Sequence, residues 1–301
     1  MHEAILPVGD LKPLRDPVLL AAFTGFTDAH GGAVAAVKYL AEQWGAQPIA
    51  TIDPERFYDF TVQRPRVRLE NGERVMDWPE NAFFLATPPG SERDFVLFTG
   101  IEPHLRWKTF VAAFEDLLRA VDCTTSITLA AQPAAVPHTR PLPVTLSASH
   151  PEFERTFGLK APASRYQGPT GIVGVLNLHF RALGWKNASL WAMTPHYLTV
   201  GPNPNAAASL VDRIDHAFGT TTSRDGLQEQ SVIFEEQVRE VLEESNDAGA
   251  YVRQLEEQYD SERQGQVAPA ANDADDELPS PNDLLDDLEQ FLRDQRPGAS
   301  E

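Results

Sequence analysis

Apolar positions along the chain fall into short continuous runs separated by stretches of helical period. VLLAAF (18–23), PIATI (48–52), DFVLFTG (94–100), SITLAAQ (126–132) and ASLWAMTP (188–195) read as strands. PVTLSAS (143–149) reads as one more strand or as an extended excursion. Helical stretches follow at 33–44, 106–121, 166–184 and 203–219, the third entered through a glycine turn and the last with Asn203 as a candidate N-cap. The clearest is 106–121, where Trp107, Phe110, Val111, Phe114, Leu117, Leu118 and Val121 recur at spacings of three and four. Alternating strands and helices predict an α/β layer fold with a mostly parallel sheet. Parallel strands are buried on both faces, and VLLAAF, FVLFTG and SITLAAQ have the continuous apolar character this demands. Residues 1–17, with Pro7, Pro13 and Pro17, read as an irregular lead-in. Asp53, Glu55 and Asp59 lie in a loop with Arg56, Arg64, Arg66 and Arg68 nearby, which reads as salt-bridged surface.

The pattern changes after residue 223. Residues 224–261 have high helix propensity, broken near Asn246–Gly249, and predict a helical hairpin. Val232, Ile233, Val238, Val241 and Leu242 form its expected apolar stripe, packed on the α/β body or on another subunit. Residues 262–279 are rich in Ala, Asp and Pro and read as a disordered acidic linker. A short amphipathic helix is expected within 280–301. Ser280 caps it, Pro281 suits its first turn, and Leu284, Leu285, Leu288, Phe291 and Leu292 share one face. Such a helix beyond a linker is either a docking element for a protein partner or a segment that folds back on its own body. The expected division is thus a body at 1–223, the hairpin at 224–261, the linker at 262–279 and the terminal helix and tail at 280–301.

Composition narrows the function classes. The 301 residues fit one or two domains. No run approaches the ~18 apolar residues of a membrane span. No signal peptide is visible at the start, and the single cysteine, Cys123, sits in a strand-like run, so a cytoplasmic location is expected. The net charge of −19 is concentrated in the tail: from Asp225 to Glu301 there are 22 acidic and 5 basic residues, which leaves residues 1–224 at −2. A tail of that sign repels nucleic acid and anionic membrane.

The stretch FTGFTDAHGG (23–32), between a strand and a helix, has the local plan of a phosphate loop. A Walker loop needs Lys and Ser or Thr after its last glycine, whereas Ala33 and Val34 stand here. Gly25-Phe26-Thr27 also fails the dinucleotide fingerprint, and the second glycine turn, 168–174, lacks the lysine as well. No cofactor is expected. There is no G-x-S-x-G nucleophile elbow, so no catalytic residue is assigned.

Polar residues nonetheless gather just after the predicted strands: Asp28 and His30; Glu102, His104 and Arg106; His138 and Arg140; Tyr166 and Thr170; His196 and Tyr197. In open α/β sheets the crevice at the strand carboxyl ends is where ligands bind, so these eleven form a candidate pocket. The histidines are isolated in sequence, without His-x-x-x-His or Cys pairing, and no metal is expected.

The ordered motifs GFTDAHGG, TIDPERFYDF, QRPRV, FTGIEPHLRW, AAQPAAVPHTRP, YQGPTGIVGVL and TPHYL resemble the proteasome assembly chaperone 2 family, in its actinobacterial branch, over roughly residues 15–220. The resemblance implies a three-layer α/β/α body arranged like nucleoside phosphorylases and hydrolases, with the helical extension added. It also implies self-association, with a homotrimer favoured. Eukaryotic and archaeal relatives are binding proteins that guide proteasome subunits into rings. Archaeal-type members can carry a C-terminal hydrophobic-Tyr-any tail, which Gly298-Ala299-Ser300-Glu301 does not match. Two functions are carried forward. One is a non-enzymatic oligomeric assembly factor or scaffold that binds protein partners. The other is a protein or enzyme that takes a nucleoside or phosphorylated metabolite in the strand-end pocket.

Overall fold

The computed structural model describes residues 1–164, 166–198, 200–243 and 248–265. Its strands are β1 (Ile5–Pro7), β2 (Val18–Thr24), β3 (Gln47–Ile52), β4 (Arg66–Glu70), β5 (Glu73–Asp77), β6 (Ala82–Ala86), β7 (Phe95–Ile101), β8 (Thr125–Ala134), β9 (Val144–Ala148) and β10 (Lys186–Pro195). Its helices are α1 (Gly32–Gln43), α2 (Trp107–Ala120), α3 (Glu152–Phe157), α4 (Ile172–Ala182), α5 (Pro204–Phe218), α6 (Asp225–Glu243) and α7 (Ala248–Gly265).

Eight strands form one sheet in the order β1-β3-β6-β7-β2-β8-β10-β9. The centre, β7-β2-β8-β10, is parallel. β6 and β9 flank it antiparallel, and β1 runs antiparallel to β3 at the far edge. The fold is therefore the expected α/β class, on a mixed sheet with a parallel core.

Alternation along β2 shows how the layers form. Val18, Leu20 and Ala22 join Val37 and Leu40 of α1 and Leu210 and Ile214 of α5 on one face. Leu19, Ala21 and Phe23 join Phe110, Phe114 and Leu118 of α2 and Leu176 and Phe180 of α4 on the other. Each fully buried Leu or Phe contributes about 1.5–3 kcal/mol, so both layers are held by apolar burial. Asn203 caps α5 as expected, its Oδ1 accepting from the amides of Asn205 at 3.0 Å and Ala206 at 3.1 Å.

The irregular lead-in contains β1, which pairs with β3. The expected surface loop contains the β4–β5 hairpin, a separate two-stranded sheet. Its salt bridges are present: Arg56 with Glu3 and Asp53, and Arg68 with Glu70 and Asp77. Residues 143–149 hold a true strand, β9, and α3 follows it. In α6 the buried face is Leu227, Phe234 and Val238, while Val232, Ile233 and Val241 are exposed. The expected stripe mixed two sides of the helix; residues 227, 231, 234, 238 and 242 are the set that share a face at 3.6 residues per turn. α6 lies on the body of its own chain, with Phe234 and Val238 against Leu198. α7 continues to Gly265, past the expected boundary at 261. The rest of the linker and the expected terminal helix lie outside the described residues. No helix among the described residues is long and apolar enough to cross a membrane.

Candidate functional site

At the ends of β2 and β7 two carboxylates close on helix N-termini. Asp28 is 7 % exposed, and its two oxygens accept the amides of Ala33 at 2.7 Å and Val34 at 3.1 Å, in the first turn of α1. Burial pushes its carboxyl up to about 6, against the lowering effect of those two amides. Glu102 Oε1 accepts the Ile172 amide of α4 at 2.7 Å. Both groups satisfy amide donors that a helix start leaves open, at the positive end of its dipole. His30 adopts a left-handed conformation (φ 57°), and its carbonyl accepts from Asn203 N, at the start of α5, at 2.8 Å. Its ring is half-buried, which lowers its pKa.

At the ends of β8 and β10 a second group forms beneath α7. The Tyr197 hydroxyl accepts the His138 amide at 2.9 Å and lies 2.7 Å from His138 Nδ1. Burial raises the Tyr197 pKa and lowers that of His138. His196 places Nδ1 3.0 Å from the Ala134 carbonyl and Nε2 3.0 Å from the Tyr251 hydroxyl of α7. Arg140 reaches Asp260 through Nε at 3.0 Å and Nη2 at 2.8 Å, and Glu256 through Nη1 at 3.2 Å. Thr139 also bonds Glu256.

The remaining candidates stand apart. His104 accepts the Asp59 amide at 3.1 Å and meets Tyr58 edge-on. Arg106 is exposed and occupies a left-handed N-cap position of α2. Tyr166 is exposed, its hydroxyl donating to the Pro169 carbonyl at 2.9 Å, and Thr170 is exposed before α4. The eleven candidates thus divide between two clusters and isolated surface positions. Tyr251, Glu256 and Asp260, which complete the second cluster, were not foreseen; on a charged helix nothing local distinguishes them from solvated residues. Among the described residues no three His, Cys, Asp or Glu side chains are grouped to hold a metal. A depression of about 380 Å³ lies along α2, lined by Met1, His2, Ala112, Glu115, Asp116 and Arg119. Cys123 is buried and its thiol is pushed up to about 12 by that burial, which suits a structural role rather than a nucleophile.

The model of the PAC2 family matches residues 22–242, which include the end of β2, all of β7, β8 and β10, and both clusters' strand-end loops. The chain belongs to the PAC2 family. It is similar to a PAC2 family protein from Streptomyces avermitilis, at 34 % identity and TM-score 0.71, over 79 % of this chain and all of that one. It is similar to a proteasome-assembly chaperone homologue from Mycobacterium tuberculosis, at 37 % identity and TM-score 0.69, over 78 % of this chain and 99 % of that one. A proteasome activator from Pyrococcus furiosus shares the fold at 16 % identity and TM-score 0.65, over 79 % of this chain and 97 % of that one. The curated proteins give no match. Within this PAC2 chain the family's region ends inside α6, so α7, which covers the second cluster, lies beyond it.

Proposed function

We propose that this PAC2 family protein is a non-enzymatic, homo-oligomeric assembly chaperone or scaffold that binds protein partners, with a trimer favoured. The observation that carries the reading is how its strand-end side chains are used. Asp28 and Glu102 bind the chain's own helix amides, and the His138, Tyr197, His196 and Arg140 cluster binds its own α7. An enzyme of this architecture would leave such groups facing a ligand. The M. tuberculosis relative, described as a proteasome-assembly chaperone homologue, supports the same reading. The amphipathic segment with Leu284, Leu285, Leu288, Phe291 and Leu292 is the proposed partner-docking element, reached through the acidic stretch 262–279.

The test is affinity capture from native lysate with the full chain beside a chain ending at Leu278, with captured proteins identified by mass spectrometry. A partner retained by the full chain alone supports the docking element and the scaffold role. Specific binding of a nucleoside or a phosphorylated metabolite, with no protein captured by either chain, overturns the reading in favour of a ligand-binding protein.

A further inference from the structure

The β4–β5 hairpin is a ribbon with two unlike faces. Its register pairs Val67 with Met76 and Leu69 with Arg74, and between these pairs Arg68 with Val75. Paired residues share a face and successive pairs alternate. One face therefore carries Val67, Leu69, Met76 and Arg74. The other carries Arg68, which bridges Glu70 at 3.1 Å and Asp77 at 2.8 Å. The apolar face is open: Leu69 is 73 % exposed, Val67 58 % and Met76 47 %. Arg64, Arg66 and Arg74 have no ion pair among the described residues. A lone two-stranded ribbon is marginal in water, so this arm lacks the packing that would hold it.

A complementary surface lies on α6 of the same sequence. The buried side of α6 faces its own body, while Val232 and Ile233, 59 % and 58 % exposed, lie on the other side. Helical spacing sets Glu229, Glu236 and Glu240 between and beside them. The whole helix has six acidic residues and one arginine. The apolar face of the arm carries Arg74, which has no ion pair among the described residues, while Arg66, paired in register with Asp77, falls on the Arg68 face; the helix offers branched apolar residues with carboxylates that have no ion pair among the described residues. Within one copy the two join the sheet at different strands. In chain order the arm connects β3 to β6, whereas α6 packs on Leu198 just after β10. Four strand intervals separate β6 from β10 in the sheet, about 19 Å at the usual spacing.

We propose that the β4–β5 arm of one copy docks on the outward face of α6 in a second copy. This rests on the homo-oligomeric reading above and names its interface. Because the arm and its acceptor are different patches, the contact is head-to-tail, and it consumes every arm only in a closed ring.

The test uses two full-length double variants, Val67→Asp with Leu69→Asp in the arm and Val232→Asp with Ile233→Asp in α6, read by light scattering during size-exclusion chromatography. All four sites are exposed, and an unchanged far-ultraviolet circular dichroism spectrum verifies folding. Wild type is expected to run as a multimer, each variant to self-associate at least tenfold more weakly, and an equimolar mixture to recover a two-chain species. That mixture pairs one intact arm with one intact helix, which two misfolded chains cannot do. Wild type running as a single chain overturns both this interface and the oligomeric reading. Variants that assemble like wild type, or that separate but do not complement each other, overturn this interface alone.

Discussion

The Tyr197 hydroxyl holds both the backbone and the ring of His138, accepting the amide at 2.9 Å and lying 2.7 Å from Nδ1. The hydroxyl accepts the amide proton and shares a second hydrogen bond with Nδ1, as donor or acceptor according to the ring's tautomer. One phenol thereby fixes the loop after β8 to the end of β10. Tyr197→Phe keeps the ring and deletes both bonds, leaving a half-buried amide and ring nitrogen unmatched. The variant should lose about 1–3 kcal/mol in urea unfolding. A loss within error of zero would mean that water replaces the hydroxyl freely.

Asp28 gives stability a pH dependence of definite sign. Its carboxyl titrates near 6 in the folded chain and from 3.8 in the unfolded one. The folded state therefore binds the proton more tightly, and the group's contribution is full below about pH 4 and is lost as pH rises through about 6. At 1.36 kcal/mol per pKa unit, the contribution is about 3 kcal/mol. Asp28→Asn cannot titrate. The stability of wild type minus that of the variant should fall by up to that amount between pH 4 and 7, measured by urea unfolding at stepped pH. A difference that stays flat, or grows with pH, contradicts the burial argument.

Arg140 ties α7 to the loop after β8 through Asp260 and Glu256. Removing it with Arg140→Ala should weaken that attachment modestly, since solvent screens such an exposed ion-pair network. Hydrogen exchange should accelerate across residues 248–265 and remain unchanged in β2 and β7. High salt should shrink the difference between wild type and variant, because it screens the same pairs.

The sequence made the core legible because buried parallel strands are continuously apolar and core-facing helices repeat at three and four. VLLAAF and the 106–121 helix were recognisable on those grounds alone, as was the Asn203 cap. The β4–β5 hairpin was hidden because neither face is buried against the body, so its alternation resembles charged loop. Its Asn71-Gly72 turn, with φ of 51° and 86°, was the readable signal. The candidate residues from Asp28, Glu102, His138 and His196 onward lie in the loops that follow β2, β7, β8 and β10. Their division into two clusters depends on which helix arrives over them. Tyr251 and Asp260 lie more than fifty residues after the loops they join, and no local pattern encodes that meeting.

Gly32 opens α1 directly against α5. A Cβ there would stand 2.6 Å from the Ala206 Cβ and 3.4 Å from the Asn203 carbonyl oxygen. The first approach is shorter than two methyl groups tolerate, and the second atom belongs to the capped start of α5, which cannot swing aside as a side-chain end would. Gly32→Ala should therefore force the two helices apart and destabilise the fold by about 1–3 kcal/mol, although alanine is the better helix former. Ala206→Gly removes the opposing methyl at about 1 kcal/mol of helix propensity. If the contact is what makes glycine necessary, the two changes together should cost less than their sum by at least 0.5 kcal/mol, the size expected for residues that touch. Strict additivity in thermal and urea unfolding of the four chains would place the need for glycine in the backbone instead, beside the left-handed Gly31 at φ 66°.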